Sequence, residues 1–239
     1  DDLVLALSIN GDARAYPAKV LNHHEIVNEI IGGEPIAVTF CPLCGSGVAF
    51  DRRIDGEVVE FGVSGVLHDN DLVMYDRSSN TLWQQITGEA IMGEKLGQKL
   101  KTVPLTMTTW REWKHQHRKT KVLSLDTGFD DMDYQSERYG EYIASEQIYF
   151  PLGHASAAMH PKTVVHGFDI DNFSFAVDEK QLSGKPQSLA MNGETFLIQR
   201  DKDGTVLAVR LKDGQRYTSL RLFWFAWYNF HPNTAIAKL

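Results

Sequence analysis

Short apolar runs set off by Gly, Asn and Asp recur along this chain, and they predict strands more often than helices. Leu3-Val4-Leu5-Ala6-Leu7, residues 36–40 and Val48-Ala49-Phe50 read as strands. Residues 26–31 and 36–40 flank Gly32-Gly33, which predicts a hairpin. A second hairpin is expected from Leu72-Val73-Met74-Tyr75, a polar turn at Ser78-Ser79-Asn80, and Thr81-Leu82-Trp83. Asp76 and Arg77 are expected to support its turn, and Trp83 to enter the core.

One helix is expected at 109–119. Thr109 followed by Glu112 forms a capping box, and Trp110, Trp113 and His117 then fall on one face. The same spacing returns later: Trp110, Trp113, His117 and Thr120 match Trp224, Trp227, His231 and Thr234, each 114 residues on. A Trp/Trp/His face suits a helix packed on a sheet, with the imidazole satisfied by a backbone carbonyl. Weaker matches lie upstream, where residues 5–21 resemble 165–182. The fold class expected is therefore α+β and β-rich. It would hold two degenerate pseudo-repeats, 1–125 and 160–239, each of strands and hairpins followed by a helix. An irregular segment, 126–159, would join them into one compact unit. The second copy lacks 41–47 and 64–104, so special chemistry should lie in what the first adds.

Composition narrows the class. With 239 residues, 43% hydrophobic and 23% charged, the chain is ordinary globular material. Its net charge of −7 disfavours nucleic acid, and the basic run from Arg111 to Lys121 reads as a solvated helix face. No apolar run approaches a membrane span. Only two cysteines exist, three residues apart, which excludes a disulfide framework.

Those two frame Cys41-Pro42-Leu43-Cys44-Gly45-Ser46-Gly47, between two expected strands. A thioredoxin-type redox pair needs a helix N-terminus after its first cysteine, and here a strand follows. Cys-Pro-x-Cys-Gly between strands instead has the form of a metal knuckle. Two thiolates do not complete a site, so histidine or carboxylate must finish it. A two-residue Gly-Gly turn would set His24 opposite Cys41, point His23 away, and send Glu25 to the far face. Glu25 would then be a poor base for a bound water, which counts against a metallohydrolase. His68 is a further candidate ligand, and His154, His160 and His166 follow without a spacing rule. The metal set expected is Cys41, Cys44, His24 and His68, with copper or zinc as the ion. A reversible dithiol and a structural turn with buried thiols remain the alternatives.

Several unusual motifs occur in order: Asp12-Ala13-Arg14-Ala15-Tyr16-Pro17, His24-Glu25-Ile26-Val27-Asn28-Glu29, the Cys41–Gly47 turn, Phe61-Gly62-Val63-Ser64-Gly65, Leu72-Val73-Met74-Tyr75-Asp76-Arg77, Leu82-Trp83-Gln84-Gln85 and Gly88-Glu89-Ala90-Ile91. In these the chain resembles the prokaryotic domain of unknown function 3179 family. The resemblance implies a domain often found in exported or lipid-anchored proteins, hence an extracytoplasmic, periplasmic or secreted setting. It implies no reaction. Glu29 stands where the family usually has Asp, and His68 where a polar or aromatic residue is common. Two functions are expected to compete: a soft-metal or thiol-redox protein centred on the cysteine turn, and a non-catalytic binding or accessory module of an exported protein, with a small ligand or exported partner.

Overall fold

The computed structural model describes residues 2–129, 131–136 and 138–239; positions 1, 130 and 137, which the expected first unit and joining segment include, lie outside the described residues. The fold is β-rich, with several four-stranded sheets and four short α-helices among those residues.

The first sheet runs Thr106–Thr109, Leu3–Ile9, Asp12–Pro17, Lys121–Val122, its last pair parallel. The second is an antiparallel meander, Ile26–Ile31, Glu34–Cys41, Ser46–Asp51, Thr102–Val103. Alternate residues of each turn inward, so Leu5, Leu7 and Tyr16 meet Ile36, Val38 and Phe40 in one buried cluster. A third sheet, Leu220–Phe223, Val164–Ile170, Phe173–Asp178, Ala235–Ile236, has the order and strand directions of the first. A fourth, Gln187–Met191, Glu194–Arg200, Val206–Arg210, Arg216–Thr218, is a meander like the second. Phe168, Phe175, Phe196 and Ile198 form the cluster between those two.

The capping box forms as expected: Thr109 Oγ1 accepts from Glu112 N at 3.2 Å, and the Glu112 carboxylate accepts from Thr109 N. It opens the helix Trp110–Gln116, and the matching helix is Trp224–Phe230. Trp113 donates to Thr120 Oγ1 at 2.8 Å and stacks on His117 at 3.9 Å; Trp227 donates to Thr234 Oγ1 at 2.9 Å and stacks on His231 at 3.7 Å. The expected backbone partner holds for His231, whose Nδ1 meets Trp227 O, but His117 Nε2 meets the Asp203 carboxylate at 3.0 Å. Gly167 explains how closely Trp227 sits on its sheet: a Cβ there would stand 2.2 Å from the indole.

A fifth sheet, Phe61–His68, Asp71–Asp76, Leu82–Gln84, Ala90–Met92, falls mostly within residues 64–104 and begins three residues before them. Its hairpin at 71–84 pairs Tyr75 with Leu82 and Met74 with Trp83. The Asp76 carboxylate supports the turn by accepting from Ser79 N and from the Trp83 indole, while Arg77 bonds the Tyr75 hydroxyl instead. The largest cluster joins this sheet to the cysteine turn and the last helix, through Cys41, Cys44, Trp83, Trp224 and Trp227.

The Gly32-Gly33 hairpin has the two-residue register expected, Ile31 against Glu34 and Ile26 against Thr39. The expected strand does not reach position 24, however. Residues Ala18–His24 form a helix entered through Pro17, whose fixed φ of −60° suits a helix start; Val20 and Leu21 are buried on its inner side. Glu25 then closes it with φ +58° and ψ −32°, a combination a non-glycine residue rarely adopts.

Candidate metal centre

Cys41 ends the strand Glu34–Cys41 and pairs with Ser46, the first residue of the next strand. The intervening turn is held on three sides. Ser46 Oγ donates to Gln85 Oε1 at 2.8 Å, and Gln85 Nε2 donates to Thr39 Oγ1 at 3.0 Å. From the other half of the chain, Phe223 N donates to Cys44 O at 2.8 Å. Gly45 has φ +61°, and a Cβ there would meet the Phe223 ring at 2.9 Å, so both conformation and space require glycine.

The fifth sheet brings the third donor. Its first hairpin turns through Asp69 and Asn70, both with positive φ (54° and 65°), with His68 paired to Asp71. That is the backbone of a tight two-residue turn. The Asn70 side chain ties it to the joining segment, donating to Phe150 O at 2.8 Å and accepting from Phe150 N at 2.9 Å. Asn70 O then lies 3.3 Å from Cys44 Sγ and 3.8 Å from Cys41 Sγ. Asp71, the next residue, turns its carboxylate into the same space.

Cys41 Sγ, Cys44 Sγ and an Asp71 carboxylate oxygen lie within 4.8 Å of one another. All three residues are buried, and both cysteines are free thiols. Asp71 Oδ2 accepts from Gln84 Nε2 and from Ile86 N, whereas Asp71 Oδ1 is buried without a partner. Burial pushes the Asp71 carboxyl up to about 6, against the pull of those hydrogen bonds. The Cys44 thiol is pushed well up, first by burial and then by Cys41 and Asp71. A buried carboxyl and a buried thiol that both resist becoming anions are what a cation reverses, since a bound cation favours the deprotonated form of each ligand.

A family model described as a protein of unknown function (DUF3179) matches residues 1–214. The chain belongs to the DUF3179 family. No curated protein and no solved structure matches it. The match spans the DUF3179 chain's cysteine turn, all of the fifth sheet and most of the second half. No helix among the described residues is long and apolar enough to cross a membrane.

In this DUF3179 chain the histidines sit away from that trio. His24 ends a helix rather than lying on a strand opposite Cys41; its Nε2 meets the Tyr134 hydroxyl at 2.6 Å, and its ring packs against Phe129. His68 Nδ1 meets Gln84 Oε1 at 2.8 Å, and the same Gln84 donates to Asp71, so His68 stands one hydrogen bond behind the carboxylate. His166 is tied to Ser219 and Glu179, His160 lies by Glu146, and the His154 backbone bonds Asn229. Asp71 escaped sequence reasoning. Its signal was an acidic residue opening the apolar run Leu72-Val73-Met74 directly after an Asp-Asn turn.

Glu25 also departs from expectation. Its positive φ breaks strand alternation, and its side chain lines a cavity of about 380 Å³ that Cys41 also lines. The ground for setting aside chemistry at a bound water, that Glu25 points to the far face, therefore falls.

Proposed function

We propose that this protein holds a soft metal ion, zinc or copper, on Cys41, Cys44 and Asp71. The observation that carries the reading is the buried trio of donors, with Asp71 Oδ1 aimed at no partner. A lone buried polar atom costs about 1–3 kcal/mol, and coordination would supply what it lacks. Two thiolates and a carboxylate suit zinc, with a fourth position open to water or a ligand; a site relying on sulfur alone would suit copper(I) better. His24 and His68, the ligands expected from sequence, would join only if Tyr134 or Gln84 released them. A thiol-redox role is the second reading, favoured by the closeness of the two sulfurs. In an exported setting, which the family resemblance favours, a metal would also protect the pair from oxidation.

We further read the two halves as copies of one unit, 1–125 and 160–239. The matched order of sheets and the paired Trp–Thr and Trp–His contacts support it. On this reading the cysteine turn and the fifth sheet are what the first copy gained.

Thiol labelling separates the metal and redox readings. In protein purified without added metal, Cys41 and Cys44 should resist a thiol reagent until chelator is added, then react together, because the thiolates are the ligands. If chelator changes nothing while a mild reductant exposes two new thiols, the redox reading takes its place. Two thiols that never respond to either leave only the binding module.

A further inference from the structure

The cavity beside Cys41 is built from three kinds of wall. Leu43, Val66 and Leu67 give it an apolar side, and Val66, on the hairpin Phe61–Asp76, is 52% exposed. Glu25 contributes a carboxylate held by the unusual backbone at the end of the helix. Backbone strain of this kind costs about 1–3 kcal/mol and persists where the surroundings impose it. Among the described residues, that carboxylate makes no hydrogen bond or ion pair. Arg138 contributes a guanidinium. It meets His23 Nδ1 at 3.3 Å and lies over the Tyr139 ring, and among the described residues it too makes no ion pair. Burial pushes the Glu25 carboxyl up, Arg138 pulls it back through space without touching it, and Asp71 adds to the rise.

Two opposite charges, the half-buried Glu25 and the exposed Arg138, therefore face one partly apolar cavity without an ion pair between them. A volume of about 380 Å³ falls in the range of small-molecule sites, about 300–1,000 Å³. A ligand that filled it would have to satisfy both charges and cover the apolar wall. A cation alone would leave Arg138 unanswered, and an anion alone would leave Glu25 so.

We propose that this cavity binds a small zwitterion with an apolar side chain, of the class of the branched α-amino acids, with its ammonium on Glu25, its carboxylate on Arg138 and its side chain against Leu43, Val66 and Leu67. The site needs no metal. It opens beside Cys41, so a ligand seated there would also lie next to the metal centre.

Isothermal titration with L-leucine, 4-methylpentanoate and isoamylamine tests this on the whole chain, with chelator present so that metal plays no part. L-leucine should bind, and each single-charge analogue should bind at least about tenfold more weakly, since a hydrogen bond to a charged group contributes about 1.5–3 kcal/mol. Glu25→Gln and Arg138→Gln should each weaken leucine by a similar factor. Val66→Trp, on an exposed position of the hairpin, should block binding while circular dichroism stays unchanged. Binding of isoamylamine as tight as leucine, no binding by any of the three at 10 mM, or leucine binding indifferent to Glu25→Gln would each overturn the proposal. The metal content of these variants, measured separately without chelator, tells a failure here from a failure of the metal reading.

Discussion

Asp71→Asn is expected to make the metal-free protein more stable at pH 7 while stripping it of metal. The substitution keeps the shape of the side chain, and its amide oxygen can still accept from Gln84 and Ile86. What it removes is a buried carboxylate whose pKa is raised to about 6 in the folded protein, against about 3.9 unfolded. Between those values the folded state holds the proton more tightly. Stability therefore falls as pH rises through roughly 4 to 6, and the full penalty is present at neutral pH. A gap of about 2 units corresponds to about 3 kcal/mol. The stability that Asp71→Asn gains over the metal-free wild type should accordingly be largest at pH 7 and shrink towards pH 4.5, because His166 and His231, which burial holds below the usual imidazole range, act on both proteins alike. Metal retention should move the other way, by at least the roughly 10–100-fold that partners of metal ligands are worth. Denaturant titrations at both pH values, with and without chelator, read both effects. A stability difference between the two metal-free proteins that is the same at both pH values would remove the buried carboxylate from the account.

Trp83→Ala should cost both stability and metal. The indole is fully buried, meets Phe61 edge-on and donates to Asp76 at 3.0 Å, which binds the fifth sheet to its own turn. Truncating such a side chain costs about 3–5 kcal/mol, a drop in Tm on the order of 10 °C for a chain of this size. Trp113→Ala supplies the comparison. It too is fully buried, but it packs with Val4, Ala6 and Ala15 on the first sheet, in a separate cluster from the cysteines. Both variants should lose comparable stability. Only Trp83→Ala should release metal more readily, because Trp83 belongs to the sheet that presents Asp71. Equal metal loss in the two variants would mean that the centre tracks global stability alone.

What could be read from sequence was local. The capping box at Thr109 and Glu112 and the two-residue turn at Gly32-Gly33 are set by neighbours in the chain, and both form as expected. The cysteine turn was legible because Pro, Gly and two sulfurs lie within five residues. Asp71 was not, since it reaches the cysteines only through a hairpin of another sheet. Two errors share one cause at Glu25. A helix of seven residues leaves too short a periodic signal to tell from a strand end, so alternation was carried through His24 and Glu25. With His24 ending a helix and Glu25 turning at positive φ, His24 meets Tyr134 and Glu25 lines the cavity beside Cys41.

The most direct test is elemental analysis of the protein purified without added metal or chelator, beside Cys41→Ser/Cys44→Ser and His24→Ala. The trio predicts about one zinc or copper per chain, none in the double cysteine variant, and an unchanged content in His24→Ala, whose ring is engaged with Tyr134. A wild type without metal, or a double variant that keeps it, would contradict the site.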